Sequence, residues 1–377
     1  MRCPVCSAET VTSILRRERL PVMQNVTYPT QALALASTSA PFELGGCTRC
    51  GFMFNSRFDG ALLSYDGAYD NHVESAAFHD YYKTIARTLI DRFGLDAGGV
   101  VYDVGCGQGT FLKTLCALAP NVRGVGLDPS CEPVESANLT LLRAKFSRDL
   151  ISKDAKLILL RHVLEHIEQP LEFMVELREA AGTVPLFVEV PETSWIFANG
   201  AFWDFCYEHC NYFVVDSLAS TLRSAGFRIH HQETSFGGQY QWTICSGEKA
   251  VAPAGGSNAA AIEAGLRYAS EESGHLARAT RFLSDGASRG GCAIWGMATK
   301  GVVFASMLPP GLLAGGVDSN VRKQGRFAPG SGLQIHEPRW LATLPGRATA
   351  LVMNRNYFDE IQAQTRDLGI DVKLQAI

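Results

Sequence analysis

The sequence predicts an α/β protein: a Rossmann-like doubly wound sheet, preceded by an N-terminal zinc module and followed by a smaller C-terminal α/β domain. Three observations predict it. A glycine-marked strand-turn-helix begins near residue 100, strand and helix signals alternate from there to about residue 247, and two Cys-x-x-Cys pairs stand ahead of both. At 377 residues the chain exceeds what one hydrophobic core serves, so two or three domains are expected. Apolar residues make up 46% and charged residues 19%, which is ordinary for a globular protein that stays in water.

The zinc module is assigned to residues 1–65. Cys3-Pro4-Val5-Cys6 and Cys47-Thr48-Arg49-Cys50 form two knuckles. Thiolates two residues apart can face one tetrahedral metal, and two such pairs close its coordination. Cys3, Cys6, Cys47 and Cys50 are therefore expected to hold a structural zinc that does no chemistry. A redox dithiol is the rival for one pair, but the second pair favours a metal. Eleven cysteines, an odd number, fit a reducing compartment better than a disulfide framework, so a cytoplasmic location is expected. The N-terminus lacks a signal-peptide core and no run is apolar enough to span a bilayer, so neither secretion nor a membrane partner is expected.

The central domain is assigned to 66–247. Ala76, Phe78, Tyr81, Tyr82, Ile85, Leu89, Ile90 and Phe93 recur at helical spacing, which predicts a helix over about 75–94. Strands are predicted at 100–104, 122–127, 156–160 and 185–190, with a helix from Thr110 to about 118 between the first two. A helix over 216–225 and a strand at 240–245 close the unit. A Pro/Gly-rich linker and long helix occupy 248–285. The C-terminal domain, 286–377, opens on a second glycine-marked strand-turn-helix at 291–301.

Candidate site residues begin in Asp103-Val104-Gly105-Cys106-Gly107-Gln108-Gly109-Thr110-Phe111. Glycines at a strand-to-helix turn let a ligand approach the backbone. A carboxylate ahead of them gains nothing from a phosphate and suits an amine-bearing ligand, such as the methionyl end of S-adenosylmethionine (SAM). A dinucleotide fingerprint is the rival, but its Gly-x-Gly-x-x-Gly register is not met. Asp128, at the end of the next strand, suits a ribose diol under either reading. Arg161-His162-Val163-Leu164-Glu165-His166-Ile167 resembles the segment after the fourth strand of class I SAM methyltransferases. The expected cofactor set is Asp103, Gly105, Cys106, Gly107, Gly109, Phe111, Asp128 and His162.

Further on, Phe202-Trp203-Asp204-Phe205-Cys206-Tyr207-Glu208-His209 lies past the last parallel strand, where a sheet's carboxyl edge faces its ligand. An aromatic wall could hold the His209 imidazole as a base, with Glu208 orienting it or binding hydroxyls. An aromatic packing loop is the alternative.

These motifs, with Gly296-Met297-Ala298-Thr299-Lys300-Gly301 and Lys323-Gln324-Gly325-Arg326, occur in the order found in zinc-containing, three-domain C-methyltransferases acting on dTDP-linked keto-deoxysugars. The chain resembles that family over nearly its whole length. The resemblance implies a base at His209, supported by Glu208, His166 and Tyr207, that removes the proton beside a sugar ketone. The family's Tyr-His-Glu-His run is Cys206-Tyr207-Glu208-His209 here, and its Tyr- and Ser-rich substrate segment is altered. Tyr65, Tyr69, His72, Lys300, Lys323 and Arg326 are the candidate acceptor contacts. The expectation is a SAM-dependent methyltransferase of specialised metabolism, monomeric or homodimeric, with a small-molecule acceptor. O- or N-methylation and a non-catalytic zinc-stabilised scaffold are the alternatives. Net charge of −4 with no basic stripe argues against a nucleic-acid partner.

Overall fold

A computed structural model describes residues 2–65, 69–70, 75–247 and 259–377. Three sheets organise them. In the first, β1 (Val11–Pro21), β2 (Ser39–Cys47) and β3 (Met53–Asn55) run antiparallel. The second contains β4 (Gly99–Val104), β5 (Val122–Leu127), β6 (Val134–Glu135), β7 (Leu139–Leu142), β8 (Ala155–Arg161) and β9 (Leu186–Pro191). Next, β10 (Asn211–Tyr212) returns to the first sheet beside β3, while β11 (Phe227–Ser235) and β12 (Tyr240–Gly247) complete the second. The third is the parallel set β13 (Cys292–Trp295), β14 (Gly315–Val317), β15 (Ile335–His336), β16 (Ala348–Val352) and β17 (Val372–Ala376).

The central order is β11-β12-β9-β8-β4-β5-β7-β6. From β4 the chain steps outward through β5 to β7, then returns to the opposite side of β4 with β8 and β9. The carboxyl ends therefore part at a crevice between β4 and β8. An antiparallel β12 lies between β9 and β11. This is the class I methyltransferase arrangement expected from the sequence. The helix Ala76–Phe93 starts where Ser75 Oγ accepts from Phe78 N at 3.3 Å, and Gly94 ends it in the left-handed region.

Some elements differ from expectation. Strands β1 and β2 were not legible, because bulges after Ser13 and Arg17 break the alternation of β1 and its charges mask the apolar face. The Leu164–His166 segment is a single 3-10 turn, and the next helix begins at Pro170, which needs no amide partner there.

One hydrophobic core draws on segments far apart in the chain. Ile14, Leu20, Phe42 and Leu44 from the first sheet share one core with Phe202, Phe205 and Tyr212, with Tyr268 and Leu283 of the helix Ala259–Ala287, and with Ile294 and Phe304. Buried Arg17 ties three of these together. It donates to the Phe205 and Phe202 carbonyls at 2.9 and 2.7 Å and pairs with Glu272, which also accepts from Tyr268 at 2.9 Å. Among the described residues, no helix is long and apolar enough to cross a membrane. Replacing Arg17 by Ala leaves two carbonyls without their donor and Glu272 without its cation, so a loss of about 3–5 kcal/mol is expected. Denaturant unfolding of wild type and Arg17→Ala measures it; a change below about 1 kcal/mol would place the pair among energetically neutral contacts.

Candidate active site

Strand β4 delivers Asp103 and the glycine loop to the crevice. Gly105, at φ +76°, donates its amide to Leu127 O at 2.7 Å, and a Cβ there would meet Val163 at 2.2 Å. Only glycine fits such a position. Gly107 N donates to Asp128 Oδ2 at 2.9 Å, and Ser130 N to Asp128 Oδ1 at 2.7 Å. Gly109 precedes the helix Thr110–Leu118. Asp103 is buried, and its Oδ1 meets no donor among the described residues. Burial pushes its carboxyl up to about 7; Arg161 opposes the shift and Asp128 adds to it. Cys106 fills the space above Gly126, where a Cβ would meet its sulfur at 2.6 Å, and Phe111 lies 4.0 Å beneath the Arg161 guanidinium. These two residues pack the loop, and of the expected cofactor set only His162 is among the residues that line the cavity described below.

Strand β8 ends in a charge, Arg161, and β9 carries one within it, Glu189. Arg161 Nε donates to Glu189 Oε2 at 2.8 Å, and Tyr81 donates to the same carboxylate. His162, at φ +55°, places Nε2 3.4 Å from Glu189 and Nδ1 3.6 Å from Glu165. Burial pulls the His162 imidazole down, but its contacts with Glu165 and Glu189 outweigh this and hold it at about 9. Only His162 of this cluster was singled out from the sequence. Arg161 and Glu189 had a signal: each is a charged residue next to a run of apolar strand residues, 157–160 and 186–188, which requires a buried partner.

A cavity of about 340 Å³ opens beside this cluster. Its wall runs from Tyr82 and His162 through Glu165, His166 and His209 to Lys300, Asp318 and Lys323. It therefore joins the carboxyl edges of the central and C-terminal sheets. The His166 and His209 rings meet edge to face at 4.8 Å. His166 Nδ1 lies 2.9 Å from Glu208 O and 3.2 Å from the Tyr65 hydroxyl. Burial, reinforced by His166, lowers His209 to about 3, so it is a neutral imidazole.

Other expected residues take different places. Glu208 does not orient His209: its carboxylate accepts from Gln24 N at 2.5 Å and from Tyr69 at 2.9 Å, while its carbonyl holds His166. Tyr207 is turned from the cavity, bonded to Asp59 N at 3.0 Å and Arg57 O at 3.2 Å and stacked on Phe58. Arg326 is spent on Thr27, donating to its hydroxyl at 2.7 Å and its carbonyl at 2.6 Å. His72 lies outside the described residues. Tyr69 lines the cavity, as do Lys300, paired with Asp204 at 2.9 Å, and buried Lys323. Sequence reasoning also passed over Asn25, Trp195, Tyr240 and Asn354 in the wall; no local pattern marks them, because four separate segments supply them.

The C-terminal sheet repeats the construction of the glycine loop. Gly296 N donates to Val317 O at 2.8 Å, Met297 N to Asp318 Oδ2 at 2.8 Å, and Asn320 N to Asp318 Oδ1 at 2.9 Å. Each bond has its counterpart at Gly105, Gly107 and Ser130, and both acids follow the last residue of a strand; Asp318 lines the cavity.

At the far end, the sulfurs of Cys3, Cys6, Cys47 and Cys50 all lie within 4.8 Å of one another, with Cys3–Cys50 at 3.6 Å and Cys6–Cys47 at 3.5 Å. Tetrahedral zinc thiolate bonds require sulfurs about 3.8 Å apart, so the quartet fits that ion.

Residues 78–232 match a family model described as a methyltransferase domain. No curated protein sequence matches the chain. Among solved structures it is similar to TnmH, at 20% identity over 46% of this chain and 57% of that one, with a TM-score of 0.35. It is also similar to the N,N-8-amino-8-demethyl-D-riboflavin dimethyltransferase RosA from Streptomyces davawensis (20% identity, 46% and 56% of the two chains, TM-score 0.36). A third is CalO1, a methyltransferase in calicheamicin biosynthesis, in its SAH-bound form (17%, 45% and 56%, TM-score 0.33). The chain spans just over half the length of each. With the strand order and the glycine loop already in place, the chain carries, over residues 78–232, a methyltransferase domain of the class I, SAM-dependent fold.

Proposed function

We propose that this protein is a SAM-dependent methyltransferase that C-methylates a keto-sugar or related small polar metabolite. The observation that carries the reading is the cavity that runs from His162 and Glu165, past the end of β8, to Asp318, past the end of β14, with His209 in its wall. In this reading Asp103 and Asp128, on either side of the side-chain-free glycine turn, hold SAM, which when bound supplies an electrophilic methyl group. The orphaned Oδ1 of Asp103 suits its ammonium.

His209 is neutral, so its lone pair is available to take the acidic proton beside a carbonyl. The carbon left anionic bonds to the methyl group as the sulfur recovers its electron pair. At rest a lowered pKa makes His209 a weak base; negative charge developing on the acceptor beside it strengthens it as the proton moves. Tyr65, bonded to His166, and Tyr69, bonded to Glu208, would contact the acceptor near this base. Asp318, buried Lys323 and Lys300 support the acceptor's being nucleotide-linked, since a strand-end carboxylate suits a ribose diol and the ammonium groups suit phosphates. The cysteine quartet would hold a structural zinc beneath the β1–β2 sheet.

The deciding experiment is NMR after incubation with [13C-methyl]SAM and a panel of nucleotide-linked keto-deoxysugars. A new C–CH3 resonance is expected; an O–CH3 or N–CH3 resonance would assign a different acceptor atom. His209→Ala should reduce turnover by about 100-fold or more while SAM affinity, read by calorimetry, stays unchanged; full turnover would remove His209 as the base. Because the Asp103 carboxyl titrates near 7 and an ammonium partner needs it ionised, SAM affinity should fall as pH drops through 7. Asp103→Asn should bind weakly and lose that pH dependence; a wild-type affinity that is flat from pH 8 to 6 would separate Asp103 from SAM. Stripping zinc with a chelator should lower the thermal midpoint without new chemistry, and metal analysis should find it lost in Cys47→Ser.

A further inference from the structure

Glu165, His166 and His209 each bring one ligand atom within 4.8 Å of the other two. Two imidazoles and a carboxylate on one wall of a cavity form a facial donor set, which leaves coordination positions open toward the cavity. Two further features point to a ligand there. Glu165 is only 1% exposed, yet its Oε2 meets no donor among the described residues. An ionised oxygen withdrawn from water without a partner is costly. His166 is also prepared: a carbonyl can only accept, so the Nδ1 that faces Glu208 O at 2.9 Å carries the proton and Nε2 keeps the lone pair. Anchoring the far nitrogen on a backbone carbonyl is how proteins orient metal-ligating histidines.

We propose that Glu165, His166 and His209 form a binding site for a divalent transition metal, separate from the cysteine quartet. Imidazole nitrogens select cobalt, nickel, copper or zinc over magnesium or calcium, which prefer oxygen. An ion here engages the lone pairs of both imidazoles, and a metal-bound His209 cannot accept a proton. The site is thus an off-state for the base. That consequence rests on the function proposed above; the site itself does not.

The test uses the zinc-loaded full chain, dialysed free of excess metal and titrated with Co2+, with visible absorption and total metal content as readouts. One cobalt per chain is expected beyond the zinc, with weak d–d bands and no thiolate charge transfer. Glu165→Gln and His209→Ala should each weaken it roughly tenfold or more while retaining zinc and SAM affinity. In wild-type protein, bound Co2+ should shift the ring NMR signals of His166 and His209, which keeps the test independent of how the variants fold. Unmoved ring signals, no cobalt beyond what displaces zinc, or undiminished binding in both variants would each overturn the site. SAM calorimetry on the same samples is separate, so a failed metal site and a failed methyltransferase reading give different results.

Discussion

Glu189 sits within β9 with a carboxylate that has no contact with solvent, and the neighbouring site is arranged around it. Burial alone would keep it protonated, but Arg161 and His162 outweigh burial and hold it at about 2. In return its charge helps keep His162 protonated and pairs Arg161, which lies over the ring of the loop residue Phe111. Without Glu189, two cations would face each other in a dry crevice. The constraint reaches further because His162 sits in the left-handed region, and the chain turns there into the Leu164–His166 segment. The placement of Glu165 and His166 on the cavity wall therefore follows from how the strand ends neutralise each other.

The second determining feature is shared packing. Residues 202–212 leave the central domain after β9, and β10 completes the N-terminal sheet by pairing with β3. Phe202, Phe205 and Tyr212 then bury against the long helix and the C-terminal domain. His209 lies within this stretch, so packing over three parts of the chain fixes its ring against His166. Polar clasps complete the enclosure. Asn25 donates to Thr299 at 3.0 Å, and Glu360 accepts from Ser75 at 2.8 Å and from Ala76 N at 3.1 Å, at the start of the helix Ala76–Phe93. The cavity is thus a property of the assembled segments.

Much of the central fold was legible because its signals are local. Apolar runs at β4, β5, β8 and β9 mark strands buried on both faces, and the glycines after β4 mark a turn that no Cβ can enter. The helices Thr110–Leu118 and Ala76–Phe93 follow from periodicity and lie where expected. Strands β1 and β2 were hidden because bulges and the buried Arg17 break the period-two pattern. In the candidate site, histidines 162, 166 and 209 could be picked out as residue types. The roles expected of Glu208 and Tyr207 depended on side-chain direction, which adjacency in sequence does not supply. Glu208 points to Gln24 and Tyr69, and Tyr207 to residues 57–59.

By itself the sequence determined the class I sheet and its glycine turn, because hydrophobic period and glycine freedom act over a few residues. It also determined the pairing of each cysteine with the one three residues on, since a knuckle is a local geometry. Only the tertiary structure decided that the two knuckles converge and that Asp103 is left with an orphan oxygen. The same is true of the meeting of Glu165, His166 and His209, and of the cavity that joins His162 to Asp318. Those outcomes depend on which distant segments share a dry core, and burial is what turns a polar side chain into a charged, paired or vacant ligand.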